Sequence, residues 1–152
     1  MNLAFPRILP VLALLAALLR TAPALAERSH TDGEYVIHYN ALPTTALSPE
    51  VARTYGITRS GTRALLNVAV LRQSAGDAEP RPVGAEVAAR VRHLTGQSLP
   101  IELREVRDQD AIYYIGEFRI RGREDLRFEL DVRPEGAGRT ITARFEQHLV
   151  GE

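Results

Sequence analysis

The sequence predicts an all-β fold, an antiparallel β-sandwich of about seven strands with one short helix. First, apolar and polar residues alternate with a period of two along most of the chain after residue 34, as in strands with one buried face. Second, turn-type residues separate these runs at short, regular intervals. Third, only one long connection, residues 41–63, interrupts the pattern. Short strands at this spacing are typical of immunoglobulin-like domains, and a small closed barrel is the alternative.

Seven runs of residues have the alternation of strands. They are residues 35–40, 64–71, 83–92, 99–103, 112–120, 126–132 and 141–149. In the sixth run, Leu126, Phe128 and Leu130 alternate with charged residues, so we expect one face in the core and one in solvent. Sequences typical of turns lie between the runs, at residues 95–96, 107–110, 121–123 and 134–138.

The long connection contains the one predicted helix. Ser48 is a favourable N-cap, Pro49 suits the first helical turn, and Gly56 can end a helix. The sequence therefore predicts a helix from about Pro49 to Tyr55. Connections of this length are often functional, but many cover an open end of a sandwich, and the covering role is the favoured interpretation.

Residues 1–26 have the three parts of a secretory signal peptide. Arg7 supplies a positive charge, residues 8–19 are apolar, and residues 24–26 place small side chains before a cleavage site. The apolar run is shorter than the roughly 20 residues that a membrane span needs. We therefore expect cleavage, a single domain at residues 27–152, and a periplasmic location without a membrane anchor.

The composition excludes several classes of function. The chain has 19 basic and 19 acidic residues, every basic one is arginine, and there is no cysteine. Without cysteine it is not a disulfide scaffold, a thiol enzyme or a cysteine-ligated metal protein. Two arginines lie in the predicted signal peptide, so the remaining chain is slightly acidic. We therefore expect no nucleic-acid partner.

Three segments resemble a known family. They are GEYVIHYNALPTTALSPEVARTYGITRSGTRALLNVAVL at residues 33–71, LREVRDQDAIYYIGEFRI at residues 103–120, and the RPEG turn with the strand that follows it. The similarity covers nearly the whole chain after residue 26, and the family is a proteobacterial domain of unknown function, DUF4426. The resemblance implies a small exported protein of Gram-negative bacteria with an immunoglobulin-like fold. It implies no activity and no catalytic residues.

No motif predicts a catalytic site or a cofactor. None of the serines lies in a Gly-x-Ser-x-Gly elbow, and the glycines at residues 136–138 lack the lysine and helix of a phosphate loop. Asp108 and Asp110 share a predicted turn but lack the later ligands of a calcium loop. We therefore expect no cofactor and no enzymatic activity. A small hydrolase with a site assembled from distant residues is an open alternative.

Histidines keep metal binding open as another alternative. The chain has four, His30, His38, His93 and His148. No two have the spacing of a metal-binding helix or ribbon, and no methionine after residue 26 could bind copper(I). A copper or zinc carrier that uses His30 and His38 is the alternative function. Four solvent-facing histidines are the favoured interpretation.

The densest group of arginines lies at residues 119–127. Acidic residues alternate with these arginines, so we expect cross-strand ion pairs on a solvated sheet face and not a surface for nucleic acid.

Polar and aromatic residues are concentrated in and beside the long connection. They are Tyr39, Asn40, Thr44, Thr45, Tyr55, Arg59 and Arg63. Because binding residues are often carried on loops, this group is the candidate binding surface, and the alternative is that it ties the connection to the domain. The sequence thus favours a non-enzymatic binding or interaction module that contacts an envelope protein or a small ligand. It predicts no oligomeric state.

Overall fold

Two antiparallel β-sheets pack face to face in the computed structural model, which describes residues 28–151. The predicted β-sandwich is confirmed, and its separate sheets contradict the closed-barrel alternative. Each of the seven predicted runs corresponds to a strand, and the described chain has three further short strands. The predicted signal peptide lies outside the described residues. Within residues 28–151, no helix has both the length and the apolar character of a membrane span.

Sheet A has the strand order β1-β2-β3-β8-β7, with β4 paired to the end of β3, and sheet B has the order β10-β9-β5-β6. The strands are β1 (Arg28–Asp32), β2 (Tyr35–Pro43), β3 (Arg63–Arg72), β4 (Arg81–Pro82), β5 (Ala85–Arg92), β6 (Ser98–Ile101), β7 (Arg104–Asp108), β8 (Ala111–Arg119), β9 (Arg123–Pro134) and β10 (Ile141–Val150). The long connection between β2 and β3 holds a 3₁₀ turn (Thr44–Ala46) and the helix α1 (Pro49–Thr54).

The core lies between the sheets and is built from the apolar half of each alternating strand. On β9, Leu126, Phe128 and Leu130 are buried, and Arg127 and Glu129 between them face away from the core. Burying one such apolar side chain contributes about 1.5–3 kcal/mol to stability. The period of two therefore sets both the core and the charged outer face of sheet B.

The chain crosses from sheet B to sheet A directly above β8. Residues 102–103 join β6 in one sheet to β7 in the other, and they pass so close to Gly116 that a Cβ there would meet the Glu102 carbonyl oxygen at 2.4 Å. The sequence predicted a strand over 99–103 and a turn over 107–110. Residues 104–108 instead form β7, because they pair with β8, and the turn is confined to residues 109–110.

The predicted helix is confirmed, although it ends one residue earlier, at Thr54. The Ser48 hydroxyl caps it by accepting a hydrogen bond from the Val51 amide at 3.2 Å. The connection packs onto the outer face of sheet A, where it buries the apolar side chains of Leu65 and Ile115. The residues in this second core are Leu47, Val51, Ala52, Ile57, Leu65 and Ile115. The connection thus covers a sheet face and not an open end of the sandwich.

Candidate binding site

Two residues of the predicted binding surface lie in the interior. Tyr39 is 9% exposed and stacks on Phe145 with ring centroids 4.3 Å apart. Thr44 is fully buried, and its hydroxyl accepts a hydrogen bond from the Ser60 amide at 2.9 Å and lies 3.1 Å from the Ser60 carbonyl oxygen. These side chains therefore hold the sandwich and its long connection together.

The other five lie on the outer face of sheet A or on the connection that packs against this face. They are Asn40, Thr45, Tyr55, Arg59 and Arg63. The Arg59 guanidinium donates to the Thr45 carbonyl oxygen at 3.0 Å, and Arg63 pairs with a carboxylate of β8 at 3.8 Å. The Tyr55 hydroxyl donates to Asp108 at 3.0 Å, and burial together with this acidic neighbour raises the pKa of Tyr55. These contacts fasten the connection to sheet A.

The two histidines of the metal alternative are not brought together on one face. In β1 and β2, His30 lies opposite Ile37, whose side chain is in the core, and His38 points to the outer face of sheet A. Neighbouring residues of a strand point to opposite sides, so His30 and His38 are on different faces. Within residues 28–151, no group of three or more His, Cys, Asp or Glu side chains could hold a metal ion.

The remaining histidines each contact one carboxylate. His93 Nδ1 lies 3.1 Å from Glu124, and His148 Nδ1 lies 2.8 Å from Asp125. The His93 side chain is only 15% exposed, so the expectation of four solvent-facing histidines is wrong at this position. The turn after β5 places His93 against the start of β9, which no local pattern in the sequence indicates.

A groove of about 590 Å³ lies on the outer face of sheet B, across β5, β9 and β10. We call it the arginine groove. Its polar lining residues are Arg90, Arg92, Ser98, Arg127, Glu129, Arg144 and Glu146. The volume is in the range of sites that bind small molecules. Arg90 and Arg92 are polar positions of an alternating strand, and no motif in the sequence indicates this groove.

Ion pairs link β9 to β10 on one side of the groove. Arg127 Nε lies 2.7 Å from Glu146, and Arg144 Nε lies 2.7 Å from Glu129. Each pair joins residues that stand directly opposite in the antiparallel register. These pairs match the cross-strand pairing expected for the arginine-rich segment. Because the side chains are exposed, each pair contributes little stability, typically about 0–1 kcal/mol.

On the β5 side of the groove the charges are not balanced. Arg92 stands directly opposite Arg127 on β9 and opposite Ser98 on β6, so no carboxylate faces it across either strand pair. Arg90 stands opposite Glu129, but that carboxylate bonds Arg144. Within the described chain, neither Arg90 nor Arg92 has an ion pair. Like charges directly opposite each other destabilise a sheet, so an anion in the groove would relieve this repulsion.

The fold and the groove together define a small β-sandwich domain with a cationic surface on one sheet. The family model described as a domain of unknown function, DUF4426, matches residues 29–151, and the chain therefore belongs to the DUF4426 family. The predicted resemblance is confirmed. The crystal structure of a DUF4426 family protein from Pseudomonas aeruginosa PAO1 is 31% identical in sequence, with a TM-score of 0.69. The match covers 83% of this chain and 96% of that one.

More distant structures share the fold. A copper-bound variant of FetP from uropathogenic Escherichia coli strain F11 is 14% identical, with a TM-score of 0.59, over 84% of this chain and 97% of that one. FetP as isolated, recombinantly expressed in the E. coli periplasm, is 13% identical, with a TM-score of 0.60, over 84% and 95%. None of the curated proteins compared with the sequence matches it.

Proposed function

We propose that the protein is a non-enzymatic binding module of the Gram-negative periplasm and that the arginine groove holds its partner. The observation that carries the proposal is the position of Arg92, which faces Arg127 and Ser98 across its two strand pairs. The signal-like residues 1–26 support the location. So does the structural neighbour FetP, which was expressed in a periplasm.

The alternative surface at the long connection is less suited to binding. Five of its seven side chains make internal contacts, as Thr44 does with Ser60 and Tyr55 does with Asp108. Arg90 and Arg92 make no such contact within residues 28–151, so their charge is available to a partner.

A copper or zinc carrier is the second candidate, because a copper-bound FetP variant has the same fold. The positions of the histidines that would bind the metal argue against this function. His30 and His38 lie on different faces of sheet A, and a zinc or copper site needs several ligands converging on one point. We therefore favour a binding module over a metal carrier.

A small hydrolase is the remaining alternative. Two histidine–carboxylate pairs, His93 with Glu124 and His148 with Asp125, resemble two thirds of a catalytic triad. In the part of the chain that the structure describes, no serine or threonine hydroxyl is hydrogen-bonded to His93 or His148. Each pair therefore lacks the nucleophile that a triad would need at the imidazole.

Photo-crosslinking in intact cells tests the binding proposal. A photoreactive amino acid replaces Ser98 at the groove, Thr58 on the long connection, or Ala78 in the loop before β4, all of which are exposed. After irradiation, mass spectrometry identifies any adduct on the purified protein. We expect an adduct at position 98 that is lost when Arg92→Glu is added, and none at position 78. An adduct at position 58 alone, or one at position 98 that is indifferent to Arg92→Glu, would overturn the proposal.

A further inference from the structure

We infer that the partner held by the arginine groove is a small organic phosphate, whose phosphoryl group binds among Arg90, Arg92 and Arg127. This inference rests on the proposed function and names its ligand class. It is carried by the charge of the groove, by the arrangement of these three arginines and by the size of the groove.

The charge of the groove matches one phosphoryl group. Its lining has four arginines and two glutamates, an excess of two positive charges. A phosphate monoester carries a charge of about −1.5 to −2 near pH 7, together with three strong acceptor oxygens. A single carboxylate would neutralise only half of this excess.

The three arginines surround one position on the sheet. Arg90 and Arg92 are two residues apart on β5, about 7 Å along the strand, and both point to the outer face. Arg127 is the direct cross-strand partner of Arg92, so their Cβ atoms are about 5 Å apart. Guanidinium groups bind phosphate oxygens through parallel N–H bonds, and Arg127 can do so through its terminal N–H groups while its Nε bonds Glu146.

The ends of the groove favour a small ligand over a polymer. Glu146 lies on β10 and Glu129 lies on β9 opposite Arg90, and these two carboxylates would repel a second anionic group. The positive excess is thus largest beside Arg92, whose two cross-strand partners, Arg127 and Ser98, carry no negative charge. The rest of the groove, about 590 Å³ in total, can hold the organic part, and the Ser98 hydroxyl offers one further hydrogen bond.

Titration of the purified protein tests the inference directly. Inorganic phosphate and glycerol 3-phosphate serve as probes, and succinate, a dianion without a phosphoryl group, is added at the same ionic strength. Binding is followed by calorimetry and by the NMR signals of the arginine Nε–H groups. We expect saturable 1:1 binding of both phosphates and an affinity at least tenfold lower in Arg92→Gln, because a charge-assisted bond is lost. Arg53→Gln removes the same charge as Arg92→Gln, but Arg53 lies on α1, which packs on sheet A and not on sheet B. This variant should leave the affinity unchanged.

Three outcomes would overturn the inference, and a fourth would overturn the proposed function instead. Succinate bound as tightly as the phosphates would show that charge alone matters, and equal loss in Arg53→Gln would show a nonspecific ionic effect. If neither phosphate binds while position 98 still gives an adduct that depends on Arg92, the ligand class is wrong and the proposed function stands. If phosphate binds through Arg92 but no adduct forms at position 98 in cells, the site would exist and the proposed cellular role would fail.

Discussion

Phe145 on β10 stacks on Tyr39 on β2, with ring centroids 4.3 Å apart and planes inclined by 19°. The two rings belong to different sheets, so their contact joins the halves of the sandwich. Phe145 also stacks on Phe128 of β9 at 4.6 Å, which makes it the middle ring of three. Tyr39 was expected on a binding surface, but it points inward with Ile37 and Ala41, its neighbours at a spacing of two.

Replacing the middle ring should destabilise the domain strongly. We expect Phe145→Ala to lower the free energy of unfolding by about 3–5 kcal/mol, because it removes a large buried ring and leaves a cavity between Tyr39 and Phe128. Urea unfolding followed by circular dichroism measures the change. Phe145→Leu keeps most of the apolar volume and should cost less. A loss below about 1 kcal/mol in Phe145→Ala would show that the ring stack is not an important inter-sheet contact.

Gly116 should tolerate no side chain, because the crossing segment passes directly over it. A Cβ at this position would meet the Glu102 carbonyl oxygen at 2.4 Å, and a backbone atom cannot rotate away. We expect Gly116→Ala to destabilise by about 1–3 kcal/mol, the usual cost of overpacking. Gly84→Ala is the matched control, since its Cβ would meet only the flexible end of Glu135 at 2.5 Å. Equal losses in thermal unfolding would contradict the role assigned to the crossing.

The buried Thr44 hydroxyl should hold the long connection in place. Thr44→Val keeps the shape of the side chain but leaves the Ser60 amide without its acceptor, which costs about 1–3 kcal/mol. We also expect faster amide hydrogen exchange at Ser60 and at its neighbours in the connection. Thr44→Ser retains the hydroxyl and should protect Ser60 as the native residue does. Unchanged exchange at Ser60 in Thr44→Val would argue against this bond as the anchor.

Much of the fold was predictable because its signals are local. The alternation of Leu126, Phe128 and Leu130 predicts β9 and its buried face, and Ser48 followed by Pro49 predicts the start of α1. By contrast, β7 offers one apolar residue, Val106, among charges, and it forms a strand because β8 supplies its partner. A strand defined by pairing cannot be read from its own residues.

The candidate site depends on relationships that the sequence does not contain. Whether Arg92 faces an acid or another arginine is decided by the register between β5 and β9, which lie more than 30 residues apart in sequence. Tyr39 beside the long connection and Thr44 within it were expected on one surface, but both side chains point into the interior. Residue types close together in sequence indicate a surface only when their side chains share a face.

The bidentate pair of Asp32 and Arg139 should make stability depend on pH. Arg139 donates to both oxygens of Asp32, at 2.6 and 2.7 Å, and this hydrogen bonding lowers the pKa of Asp32 from its usual 3.8. A carboxyl whose pKa is lower in the folded state stabilises the fold above its unfolded pKa, and this contribution is lost as the pH falls through the folded value. Asp32→Asn should therefore lower the urea midpoint at pH 7 and have a much smaller effect below the folded pKa.

Arg139→Gln provides the reciprocal variant for this pair. It should show the same pH dependence as Asp32→Asn, and the double variant should lose no more than either single one, since both remove one interaction. Asp110→Asn is the control, because Asp110 is exposed in a turn and has no hydrogen bond or ion pair within the described residues. The pair is exposed to solvent, so added salt should also shrink the difference at pH 7. A difference between wild type and Asp32→Asn that stays constant from pH 7 to pH 2 would exclude the ion pair as its source.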